Sequence, residues 1–130
     1  MIALRALKRQ RGQSLTEFAL ILPVLLVILI GIIDFGRAVY AYHVVANCAR
    51  EGARFGAVSP GNTGGITARV LDTAVGLNAG DLTVGISSPA ADTIQVDVSY
   101  AFHLITPLIS NIIGGGTLVL HSASSMYTGY

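Results

Sequence analysis

The sequence predicts an α+β fold. A long N-terminal helix, with a membrane half and a projecting amphipathic half, is followed by a short helix and a small antiparallel sheet of about three strands. Three observations predict it. Phe18 to Ile33 carries no charge, and thirteen of these sixteen residues are Leu, Ile, Val or Phe. Helical spacing then continues beyond Asp34 to Ala57, now with charges interleaved. Further on, Ile94, Val96, Val98, Tyr100 and Phe102 alternate with Thr93, Gln95, Asp97 and Ser99, the period of a half-buried strand.

Composition supports this reading. A chain of 130 residues has room for one small domain. Charged residues are 12% of it and its mean hydropathy is +0.66, too apolar for an ordinary soluble domain. Arg5, Lys8, Arg9 and Arg11 all precede the first acid, Glu17, and the remainder is mildly acidic. Beyond the first dozen residues no basic patch exists to hold nucleic acid, so none is expected as a partner. Cys48 is the sole cysteine, which excludes an intramolecular disulfide. It reads as a small buried hydrophobe, with an intermolecular bridge as the alternative.

The charge-free run is a membrane segment. Its thirteen large apolar residues favour insertion by about 4–8 kcal/mol, more than one carboxylate at the edge opposes. Phe18–Ile33 spans about 24 Å as a helix, and extending it back to Gln13 reaches the ~30 Å of a bilayer core. Pro23 removes a backbone donor, which predicts a distortion at Ala19–Pro23 that a membrane helix tolerates. The basic leader is expected to stay cytoplasmic and the rest to lie outside.

In the projecting half, Phe35, Val39, Tyr42, Ala46, Ala49, Ala53 and Gly56 form one apolar stripe. Asp34, Arg37, His43, Asn47, Arg50, Glu51 and Arg54 fall on the other sides. Asp34–Arg37 and Glu51–Arg54 are i,i+3 pairs that read as a solvated face. Gly52 and Gly56 form a GxxxG outside the membrane segment and read as small residues on a packed helix. Ser59–Gly65 ends the helix. Ile66, Val70, Leu71 and Val75 mark a short helix, Leu82, Val84 and Ile86 a first strand, Ser88–Asp92 a turn, and Thr117–Tyr127 a last strand. Leu104–Ile113, apolar around Pro107, reads as a short helical crossover.

Little in the chain resembles catalytic chemistry. His43, His103 and His121 have no metal-ligand spacing, so no metal or cofactor is expected. Asp97 and His121 would face each other across strands near a serine, a pattern that polar residues on the wet face of a sheet explain better. "GGGTLVL" leads into a strand, not into a phosphate-binding helix. The chain is not expected to be an enzyme, nor to take a small-molecule substrate.

What stands out is the start: basic residues, Gly12, then "QSLTEF", then the apolar run. A secretory signal has its cleavage site after the apolar segment. Here the candidate processing point precedes it, between Gly12 and Gln13. This arrangement resembles a type IV prepilin leader, with an acid, Glu17, as the fifth residue after the glycine. Phe18 is the aromatic neighbour seen in the tight-adherence (Flp-type) branch. The longer stretch "RGQSLTEFALILPVLLVILIGIIDFGRAVYAYHVVANCAREGAR" resembles the TadE-like family of pseudopilins, from Arg11 to about Ala57.

The resemblance implies a division into a leader, 1–12, a transmembrane and assembly helix, 13–34, and a projecting helix with a small extracytoplasmic domain, 35–130. It implies cleavage after Gly12 by a prepilin peptidase. It also implies assembly through Glu17 and Phe18, with Glu17 meeting the new Gln13 amine of a neighbouring subunit. A contact between Gln13 and Glu17 within one chain, or a plain interfacial helix start, are the local alternatives. The implied partners are the membrane, the peptidase, other pilins and pseudopilins, and the pilus assembly platform. The implied location is the cytoplasmic membrane for the precursor and a cell-surface pilus for the mature form. The rival expectation is an uncleaved single-pass binding or scaffold module.

Overall fold

The computed structural model describes the backbone of residues 2–129 and the side chains of residues 12–129. The basic side chains expected to form the leader, Arg5, Lys8, Arg9 and Arg11, lie outside the described residues. Helix α1 runs unbroken from Ile2 to Val58, through Pro23 and through Gly36. A second helix, α2, spans Thr63–Thr73. Strands β1 (Leu82–Ala90), β2 (Thr93–His103) and β3 (Thr117–Tyr127) form one antiparallel sheet in the order β1-β2-β3. Helix α3, Pro107–Ile113, lies between β2 and β3.

The α2 helix begins three residues before the first apolar position, Ile66. Asn62 provides the reason: its side chain accepts the Gly65 amide at 2.9 Å, satisfying a donor the first turn leaves open. Leu104–Ile113 is not a crossover, because β2 and β3 are adjacent and antiparallel from Thr93↔Tyr127 to His103↔Thr117. The segment is a helical insertion between neighbouring strands. Its ends are tied by the Leu104 amide donating to the Gly116 carbonyl at 2.9 Å. Gly114 and Gly116 have φ of 82° and 69°, left-handed values that reverse the chain after α3.

One face of the sheet packs on α1 and α2. The core gathers Val45, Cys48, Ala49 and Ala53 of α1, Ile66 and Val70 of α2, and Ile94, Val96 and Val98 of β2. Burial pushes the Cys48 thiol above its ordinary range, as expected of an inert core residue. The buried face of α1 is made of small residues: Ala41, Val45, Cys48, Ala49, Gly52, Ala53 and Gly56. This corrects the stripe read from sequence in its first half, where Phe35 is 71% exposed and Val39 and Tyr42 are also exposed. The reason is distance. A Cβ on Gly52 would stand 2.7 Å from Val70 Cγ2 and 3.0 Å from Val96 Cγ1, and one on Gly56 2.7 Å from Ile94 Cδ1. The elements approach too closely for bulky side chains on that face.

Strand β2 tracks α1 in the opposite direction. Ile94 meets Gly56 and Val96 meets Gly52, and at the other end Phe102 lies 5.1 Å beneath the Arg37 guanidinium. From residue 94 to 102 a strand advances about 27 Å. From residue 56 to 37 a helix advances about 28 Å. The two lengths agree, so the β2–β3 loop with α3 arrives beside the apolar half of α1.

Candidate functional site

The residues singled out at the start of the apolar helix all lie on one continuous helical backbone. Gly12 is inside α1, and among the described residues an added Cβ there would meet nothing within 4 Å. Its carbonyl accepts the Thr16 hydroxyl at 2.9 Å. One turn separates Gln13 from Glu17, which puts them on the same face. The Gln13 side-chain amide donates to Glu17 Oε1 at 3.4 Å. This is the within-chain contact that the sequence left open as an alternative. Glu17 is exposed, and Phe18 beside it is 58% exposed.

From Leu15 to Ile33 the helix presents large apolar side chains all round. Leu20 is 72% exposed, Ile21 62% and Ile32 62%. Only 6% of the most apolar window of this helix is buried within the protein, so it is not the core helix of a soluble domain. A helix long and apolar enough to cross a bilayer, left bare by its own chain, fits membrane anchoring.

Immediately after this surface lies the residue that sequence reasoning misplaced. Asp34 was expected on a solvated face; its side chain is 1% exposed. Four donors converge on its carboxylate. The Ile105 amide donates at 3.0 Å to Oδ2 and 3.2 Å to Oδ1. The Thr106 amide and hydroxyl donate to Oδ2 at 2.7 and 2.6 Å. Arg37 donates to Oδ1 at 3.0 Å. Thr106, itself 1% exposed, stands at the N-terminus of α3. Asp34 thus takes over the open donors of the α3 approach, and the Thr106 hydroxyl turns to the acid instead of capping its own helix. One signal was available: Asp34 is a lone acid at the end of an apolar run, and Thr106-Pro107 is a helix-start dipeptide. Their pairing across 72 positions was not readable.

The other charged residues are ordinary. Glu51 pairs with Arg54 at 3.9 Å, as spacing predicts, and also with Arg69 of α2 at 3.3 Å. The structure does bring Asp97 and His121 together, at 3.4 Å, with Ser99 opposite His121 in register. The Asp97 carboxylate also accepts the Gln95 side-chain amide at 3.2 Å. Both ring and carboxylate are partly exposed on the outer face of the sheet, away from the core. Among the described residues, no three His, Cys, Asp or Glu side chains gather as a metal would require.

Comparison with known proteins returns one finding. Residues 12–54 match the model of a protein family described as TadE-like protein. No curated protein and no solved structure matches the chain. The matched segment starts at Gly12, takes in the bare apolar helix and Asp34, and ends among the small residues that pack on the sheet. Over residues 12–54, the chain is similar to TadE-like proteins.

Proposed function

We propose that the protein is a minor pilin or pseudopilin of a tight-adherence pilus or secretion system, with mechanical work and no catalytic work. The observation that carries this reading is a coincidence of limits: the TadE-like match covers residues 12–54, and the exposed apolar helix begins within it just after Gly12-Gln13. The chain waits in the cytoplasmic membrane with its basic leader inside and its sheet domain outside, as the charge asymmetry favours. A prepilin peptidase removes residues 1–12. The helix from Gln13 then joins a bundle of pilin helices, with Glu17 and Phe18 at the contact, on the platform that assembles the pilus. The sheet domain suits a tip, initiation or adaptor subunit.

The test is N-terminal sequencing of the protein recovered from cells that carry a prepilin peptidase. The expected first residue is Gln13, and Gly12→Leu is expected to abolish processing. Recovery of uncut protein in the presence of active peptidase overturns the processing step. It favours instead a single-pass binding or scaffold module, for which the existing Gln13–Glu17 hydrogen bond already gives Glu17 a partner without cleavage.

A further inference from the structure

We infer that α3 and the loop before it form a second membrane contact, a short apolar wedge seated in the leaflet next to the sheet domain. This rests on the membrane-inserted reading of α1 proposed above. Leu104 to Gly116 contains no charged residue. Ile105 is 61% exposed, Leu108 57%, Ile112 78% and Ile113 50%. Elsewhere on the sheet domain exposed apolar side chains are scattered, as on any protein surface. Here four cluster on one 13-residue insertion, which calls for a partner.

The occupant follows from where the insertion sits. Asp34 holds Ile105 and Thr106 at the first residue beyond the apolar run. Ile109 Cδ1 reaches to 3.6 Å of the Cβ position of Gly31, inside that run. Gly31 is about 4.5 Å further along the helix axis toward the bilayer centre than Asp34. Ile109 thus sits level with Gly31 inside the apolar run, whose neighbours Ile32 and Ile33 are 62% and 57% exposed, and Leu108 and Ile112 belong to the same short helix. Whatever covers the end of the apolar helix also covers the tip of α3, and for an inserted helix that is lipid. Two of the polar side chains of the insertion are satisfied within the protein, Thr106 by Asp34 and the Ser110 hydroxyl by donating to the Pro107 carbonyl at 2.8 Å, while the Asn111 amide is exposed and suits the headgroup level rather than the hydrocarbon. Interfacial segments of this kind sit about 5–10 Å into the headgroup boundary. A second foot would fix the tilt of the sheet over the membrane, and it would have to leave the lipid when the helix is drawn into a filament.

The experiment uses the full chain in a Cys48→Ala background, reconstituted in vesicles of phosphatidylcholine and phosphatidylglycerol. Single cysteines replace Ile112, Ile28 or Val119 and carry an environment-sensitive fluorophore. Quenching is read with a phospholipid bearing a shallow nitroxide and with aqueous iodide. The Ile112 probe is expected to be quenched by the shallow nitroxide and shielded several-fold from iodide relative to the Val119 probe. If Ile112 is as open to iodide as Val119 while Ile28 is lipid-quenched, the wedge is wrong and the membrane helix stands. If Ile28 is also open to iodide, the membrane reading itself falls and takes the wedge with it. If Ile112 is shielded from both quenchers, protein covers it, and the lipid assignment is overturned. A probe at Leu108 repeats the measurement should the first one disturb α3.

Discussion

Asp34 and Thr106 are 72 residues apart in sequence and 2.6 Å apart in the fold. The contact joins the end of the apolar helix to the only element inserted between β2 and β3. Because Asp34 also receives the Ile105 and Thr106 amides, removing its side chain strands buried donors. Each such group costs about 1–3 kcal/mol. Asp34→Ala is therefore expected to release α3, and to lower the thermal unfolding midpoint of the chain in detergent micelles. Thr106→Val, which leaves both amide contacts in place, is expected to cost less. Amide hydrogen exchange at Ile105 and Thr106 checks this: unchanged protection in Asp34→Ala would show that the acid does not hold the loop.

The small residues of α1 give a second, paired expectation. Gly52→Ala places a methyl group 2.7 Å from Val70 Cγ2 and 3.0 Å from Val96 Cγ1, both fully buried. Overpacking of this kind costs about 1–3 kcal/mol. Gly36→Ala meets nothing within 4 Å in the same helix. There the better helix propensity of alanine is worth up to about 1 kcal/mol of stabilisation. Unfolding in micelles, followed by circular dichroism, should move the two variants in opposite directions. A stable Gly52→Ala protein would mean that α1 does not lie this close to α2 and β2.

The sheet register predicts a third contrast between adjacent residues. Val96 is fully buried against α1, while Asp97 points to the outer face toward His121. Val96→Asp buries an unpaired charge and is expected to unfold the domain. Asp97→Ala removes only partly exposed contacts and should stay within about 0.5 kcal/mol of the parent. Protease resistance of the sheet domain separates them. Equal resistance of the two variants is incompatible with this register.

Periodicity made much of this architecture legible. The charge-free run, the alternation from Ile94 to Phe102 and the turn-bounded Thr117–Tyr127 each carry their own local signal, and each forms the element it implies. Local signals failed where a contact partner decides the outcome. Phe35, Val39 and Tyr42 look like a core stripe because they are large and apolar, yet Ala41, Val45 and Cys48 on a neighbouring face of the helix are the buried ones. Asp34 looks like half of a surface ion pair because Arg37 is one turn away. Its burial depends on Thr106, which no spacing rule connects to it. The processing and assembly residues are of a third kind. Gly12, Gln13, Glu17 and Phe18 were conspicuous in sequence by family pattern. Their proposed work is done in encounters with other proteins, so the fold of one chain places them without testing them.

The role proposed for Glu17 yields the sharpest remaining expectation, that it matters for assembly and not for insertion. Insertion is governed by the large apolar residues of Phe18–Ile33, so Glu17→Gln should fractionate with membranes as the parent does. Cleavage after Gly12 should also persist, because the scissile bond lies more than a helical turn from the changed side chain. Gln13 and Glu17 already touch through the Gln13 side-chain amide at 3.4 Å, and a glutamine at position 17 can still accept that bond. What it cannot offer is negative charge to the α-amino group that cleavage would create at Gln13 of a neighbouring subunit. In a bilayer an ammonium without a counter-charge is strongly disfavoured, so in the proposed assembly pairing with a carboxylate would set the axial register between helices. Glu17→Gln is therefore expected to be inserted and processed, yet to lose crosslinking and co-purification with the pilins of its system. Normal crosslinking by the processed variant would reduce Glu17 to an interfacial residue and discard the charge-pair account.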